Sequence, residues 1–180
     1  MVEAERDRDP GAVLAGWVRG AVAVAAGFAA LGGVGWAGGG GGLTRVFPAW
    51  PPMTPWTAAW LAALGVALLV QSGSPPPARV WAGRGVAVAV GAMAVVVLAE
   101  YASGRSFGVD QVWFGHAVRN LQSSWPGRPS SPTAVSIVFL SAAVGLTRVD
   151  RRWSRGVWVG CLLVAVATPW VTVLAYLFKA

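Results

Sequence analysis

Few residues in this chain have the chemistry for catalysis, and they are thinly spread. Of its 180 residues seven are Asp or Glu and one is His. General acid and base work needs paired titratable groups, and a nucleophilic triad needs a hydroxyl or thiol beside a base and its orienting partner. His116 has no second His or Cys nearby in sequence, and Cys161, the only cysteine, lies in an apolar run. No catalytic set, metal ligand set or cofactor loop is predicted. Six residues remain as candidates for sensing or helix packing. Glu100 is a carboxylate at the exit of a long uncharged stretch, followed at once by Tyr101. Such a group either faces a ligand or another helix, or is solvated at an ordinary helix end. Asp110, followed by Gln111, is expected to cap a short helix and favour its dipole. Thr57 and Thr133 lie in the first turns of two apolar segments. Their hydroxyls are expected to bond nearby backbone groups, with a shared ligand site as the sharper reading. Tyr101 and Tyr176 close two other segments, where a phenol suits a membrane interface.

These residues must be positioned by a strongly apolar chain. It is 56% hydrophobic and 12% charged, against roughly 25% charged in a soluble domain. That composition excludes disorder and disfavours a soluble globule. The predicted fold is all-α, a polytopic integral membrane protein of about five transmembrane helices, since crossing ~30 Å of hydrocarbon takes about 20 helical residues. The helices are expected near residues 13–36, 53–71, 85–101, 131–147 and 156–178, behind a solvated cytoplasmic tail over 1–12. Gly38 to Gly42 ends the first, because a glycine run is entropically costly in a helix. Thr54 and Pro55 open the second as cap and first helical residue, and Ser72 to Pro77 ends it. Within the long polar segment 102–131, residues 109–118 have helix-like spacing and predict a short interfacial helix with Trp113 and Phe114 toward the membrane. Pro169 interrupts the fifth helix in a way that spans tolerate.

The net charge of +7 would suit nucleic acid if the basic residues formed a stripe. They fall instead in short connectors, so no nucleic-acid partner is expected and the partner is the lipid bilayer. Nine (Arg6, Arg8, Arg19, Arg79, Arg84, Arg148, Arg151, Arg152, Arg155) gather on one side, and five (Arg45, Arg105, Arg119, Arg128, Lys179) on the other. The excess predicts a multi-pass protein of the cell membrane with a cytoplasmic N-terminus. Ten of the 11 tryptophans, all but Trp170, lie in connectors or near span ends. Five crossings from that start put Ala180 outside, so either a sixth crossing lies beyond it, which is the favoured reading, or one of the five spans is not a full crossing.

Self-similarity organises the helices further. Thr57-Ala58 corresponds to Thr133-Ala134 at an offset of 76, and Tyr101 to Tyr176 at 75. Residues from about 53 to 104 and from about 130 to 180 read as two copies of one helical hairpin.

The segment Met53-Thr-Pro-Trp-Thr-Ala58, then Leu98-Ala-Glu-Tyr101, then Phe107-Gly-Val-Asp-Gln111 resembles the N-terminal multi-spanning membrane input region of bacterial signalling proteins. In those proteins a Pro-Asn-Thr-Ala-type helix start, a Leu-Glu-Tyr exit and a Gly-Ile-Asp-Gln loop follow in that order, ahead of a second such start. Trp56 replaces the Asn here, and Ser131-Pro132-Thr133 is one residue shorter than the second start. The regions precede sensor histidine kinases, diguanylate cyclases or PP2C-type phosphatases. The resemblance implies a sensory input domain, of the histidine kinase type first, whose cytoplasmic output module is missing from residues 1–180. Such a domain passes on a shift in helix packing, and Gly27, Gly32, Gly85, Gly91 and Gly160 are expected to allow the close approach this requires. A homodimer through the helices is also expected. The alternative is a small membrane transporter or channel subunit. That reading requires polar residues along a path, and the apolar segments offer few.

Overall fold

A computed structural model describes residues 10–38, 52–108 and 126–178. They form five helices: α1 (Pro10–Ala37), α2 (Pro55–Val70), α3 (Pro77–Ser103), α4 (Ser131–Leu146) and α5 (Arg152–Leu177). No strand occurs among the described residues. The helix starts reflect local chemistry. Pro55 and Pro77 sit at first helical positions, where a missing N–H costs nothing and a fixed φ is already helical. α3 therefore begins at Pro77 rather than near Gly85, and Arg79 and Arg84 lie within its first turns rather than in a connector. α5 likewise begins at Arg152 rather than Gly156. Arginine is a good helix former and its long stem lets the charged head leave an apolar surface, so a basic turn need not interrupt a helix.

Three stretches, Val18–Ala37, Pro77–Ser103 and Arg152–Leu177, are long and apolar enough to cross a membrane. Their outward faces are apolar: Val24, Phe28, Leu31 and Val34 on α1, and Leu163, Val166, Trp170 and Val171 on α5, are all more than half exposed. In water such a surface would be a severe aggregation liability, and in lipid it is the expected exterior. α2 and α4 have 16 residues each, about 24 Å of helix.

The helices neighbour one another in chain order, and α2 also touches α4. The core lies among α2, α3 and α4 and consists largely of small side chains: Ala67, Ala87, Ala94 and Ala134 are almost wholly buried, with Leu64, Val97 and Ile137 between them. Small residues let helix backbones approach, which is how apolar helices gain packing energy where lipid supplies no hydrophobic drive. A Cβ on Gly83 would lie 2.7 Å from Gln71 Cγ and 2.8 Å from the Ala67 carbonyl oxygen, so α2 and α3 meet at that point. A Cβ on Gly91 would lie 3.1 Å from Ser141 Cβ, where α3 meets α4.

Of the five glycines expected at close approaches, Gly91 serves and a Cβ on Gly32 would lie 3.0 Å from Met53 Cε, but one on Gly27, Gly85 or Gly160 would meet none of the described residues within 4 Å. Gly83 and Gly65 take their place; a Cβ on the latter would lie 3.2 Å from Val22 Cγ1. A helix that is apolar on every side carries no periodic signal of its rotation, so which of Gly83 and Gly85 faces a neighbour is set by packing.

One end of the bundle is tied by polar groups. Gln71 at the C-terminus of α2 is buried, and its Nε2 donates to the carbonyls of Ala67 at 3.1 Å and Val144 at 3.3 Å. Arg148 Nε donates to the Gln71 carbonyl at 3.0 Å, and its Nη2 donates to the Gly73 carbonyl. Arg148 has a φ of 69°, a left-handed conformation that side-chain-bearing residues rarely adopt. Two bonds to the α2–α3 turn hold it there.

Candidate functional site

The starts of α2 and α4 share one arrangement. Thr54 caps α2: its Oγ1 accepts from the Thr57 N–H at 3.4 Å and lies 2.9 Å from Thr57 Oγ1. Ser130 caps α4: its Oγ accepts from the Thr133 N–H at 3.4 Å and lies 2.8 Å from Thr133 Oγ1. The cap of α4 is therefore Ser130, at the offset of 76 from Thr54, while the proline shifts from first helical position in α2 to second in α4. The apparent one-residue shortfall is a displaced proline, and the capping register is unchanged.

Thr57 and Thr133 also share a wall. With Tyr176 they line a cavity of about 450 Å³ bounded by α2, α4 and α5, together with Leu61, Ile137, Leu140, Leu162 and Val166. Among the described residues no charged side chain lines it. Its other hydroxyls are turned to their own helices: Ser136 Oγ donates to the Pro132 carbonyl and Thr172 Oγ1 to the Thr168 carbonyl, each at 3.0 Å. What those hydroxyls still offer is lone pairs. Pro169 stands in the wall and has no N–H, so it removes the donor that the Ala165 carbonyl would take in an uninterrupted helix. Such a cavity suits a neutral, mainly apolar molecule that brings its own hydrogen-bond donor.

Glu100 and Tyr101 lie elsewhere, at the C-terminal end of α3. Glu100 is wholly buried. Its Oε1 accepts the Phe107 backbone N–H at 2.6 Å, and Arg128 Nε lies 3.3 Å from Oε2. The Arg128 guanidinium stacks 5.2 Å over the Tyr101 ring, and Tyr101 Oη donates to the Pro129 carbonyl at 3.1 Å. Arg128 Nη2 donates to the Arg105 carbonyl at 3.4 Å. Gly104, with a φ of 63°, ends α3 in a left-handed turn that sends the chain back over Glu100. The carboxylate thus gathers both ends of the α3–α4 connection, residues 105–107 and 128–129, onto the helix.

Three of the six candidate residues meet at the cavity and two at this clasp. Asp110, together with His116 and the expected interfacial helix over 109–118, lies outside the described residues. Sequence reasoning placed Arg128 only in a topological count. The signal for its role was its sign: it closes the one polar segment that follows a carboxylate at a helix exit, next to Pro129. Among the described residues no three His, Cys, Asp or Glu side chains come together as a metal ligand set. No family model matches the chain, and neither a curated protein nor a solved structure shows significant similarity to it.

Proposed function

We propose that the chain is the membrane-embedded sensory input domain of a bacterial signal-transduction protein, of the sensor histidine kinase type. In this reading all five helices cross the cell membrane with the N-terminus in the cytoplasm. α2 and α4, about 24 Å long, cross where the bilayer thins locally or where their capped starts sit at its boundary. The observation that carries the reading is the uncharged cavity on which Thr57, Thr133 and Tyr176 converge. A site lined from three helices at the seam between two hairpins is where a membrane-soluble cue can bias helix packing. Pro169 in α5 supplies a point where that helix bends at low cost. The exposed apolar faces of α1 and α5 are the surfaces for a homodimer, and the output is enzymatic only through a cytoplasmic module joined to this domain.

The test is a chimaera in which an added crossing and a histidine kinase module follow Ala180. Leu140→Trp, which fills the cavity, is expected to change basal kinase output at unchanged membrane abundance. Output equal to that of the parent in Leu140→Trp and in Thr133→Val removes the cavity from any sensing role. A transporter or channel subunit ranks second, because hydroxyls already engaged with their own helices do not make a polar path. Specific solute flux in liposomes would reverse that order.

A further inference from the structure

A second cavity, of about 670 Å³, lies at the α4–α5 turn, at the opposite end of α3 from Glu100. One part of its wall is basic, with Arg148, Arg151, Arg152 and Arg155 against Asp150, the one carboxylate there among the described residues, and another part is apolar, with Leu146, Val159 and Trp158. Arg148 is committed to the Gln71 and Gly73 carbonyls and shapes the wall. Arg152 and Arg155 are exposed and three residues apart on one face of α5, and their side chains make no ion pair or hydrogen bond with described residues. So many guanidinium groups around one space repel one another, and an anion bound among them removes that repulsion. The guanidinium fork fits phosphate oxygens in pairs.

We infer that this cavity binds the phosphate of an anionic phospholipid, with the acyl chains along Leu146, Val159 and Trp158. An independent observation selects a lipid over a free phosphate. Trp81 is 67% exposed and Trp153 58% exposed, one in the first turns of α3 and the other in the first turn of α5, and Arg84 stacks 5.3 Å over the Trp81 ring. Exposed indole rings at helix ends mark headgroup depth. Basic pockets between membrane helices at that depth suit anionic headgroups. The inference rests on the helices crossing a membrane, and it is independent of any sensing role.

The experiment is native mass spectrometry of the full chain in detergent, titrated with phosphatidylglycerol, phosphatidylcholine or inorganic phosphate. Phosphatidylglycerol is expected to be retained preferentially. The double variant Arg152→Gln/Arg155→Gln should lose roughly 30-fold in its retention. Arg152→Lys/Arg155→Lys, which keeps the charge and loses the fork, should lie between. Arg19→Gln/Arg79→Gln removes equal charge away from the cavity and should change little. Equal loss in both Gln double variants, equal retention of the two lipids, or displacement of phosphatidylglycerol by millimolar inorganic phosphate overturns the inference. Retention of each variant in alkali-washed membranes reads the membrane assignment separately, so failure of that assignment is distinguishable from failure of the site.

Discussion

Arg128 Nε and Glu100 Oε2 lie 3.3 Å apart with both side chains withdrawn from solvent, 1% and 0% exposed. Removing one member of a buried pair leaves an uncompensated charge, at a cost of about 3–5 kcal/mol. Arg128→Met is therefore expected to lower the thermal midpoint of the detergent-solubilised protein by about 6–20 °C. Glu100→Gln should cost less, because its amide oxygen still accepts the Phe107 N–H. Combining the two removes both charges and should restore part of the loss. Additive losses in the double variant would show that the two side chains act separately.

The paired caps give a second expectation. Thr54→Val and Ser130→Ala each leave an orphan first-turn N–H, the one on Thr57 or Thr133, without its acceptor. Each should cost about 1 kcal/mol. Because Thr57 and Thr133 line the cavity, each variant should also loosen one wall of it. Hydrogen exchange at the first turns of α2 and α4 is the measurement, and faster exchange confined to the mutated helix is the expected result. Protection unchanged in both variants would show that the cap bonds carry no weight.

Glycine substitutions along α3 should follow the order of the space around each residue. Gly83→Ala drives a Cβ to within 2.8 Å of the Ala67 backbone carbonyl oxygen and must separate α2 from α3, which typically costs 1–3 kcal/mol, or about 2 kcal/mol here. Gly91→Ala meets Ser141 Cβ at 3.1 Å and should cost less. Gly85→Ala has nothing within 4 Å and should be neutral or stabilising, since alanine is the better helix former. Thermal midpoints in the order Gly85→Ala, Gly91→Ala, Gly83→Ala, highest first, are expected. A lower midpoint for Gly85→Ala than for Gly83→Ala would mean that α3 is rotated from the orientation described.

That order also shows where the sequence was legible. The helices themselves could be read, because uncharged runs bounded by Gly38–Gly42, by Ser72–Pro77 and by capping hydroxyls leave little choice of conformation. The facing sides could not. Gly83 and Gly85 are two residues apart and so point to opposite sides of α3, and an all-round apolar pattern does not distinguish them. The cavity was half legible: the offset of 76 singled out Thr57 and Thr133, since it aligns two caps. The offset of 75 paired Tyr101 with Tyr176, yet the first closes the clasp and the second lines the cavity. Equal places in two hairpins face different neighbours, because α3 has α4 beside its end and α5 has no following helix among the described residues. Glu100 stood out as a lone carboxylate, but its partner lies 28 residues on, across a connection whose path composition does not specify.

Ser141 supplies the last expectation. Its Oγ is buried on α4 at the approach to Gly91 and has no hydrogen-bond partner among the described residues. An unmatched hydroxyl in an apolar contact costs about 1–3 kcal/mol relative to a matched one, whereas alanine leaves the helix–helix spacing intact. Ser141→Ala is therefore expected to raise the thermal midpoint by about 2–4 °C, corresponding to about 1 kcal/mol. Under the proposed sensory function, a polar group held against stability is one kept for an exchange of contacts between α3 and α4. In the kinase chimaera, Ser141→Ala should accordingly narrow the range between basal and stimulated output even as stability rises. A lowered midpoint would show instead that the hydroxyl has a bonding role in the resting state, and that the α3–α4 contact is not under this tension.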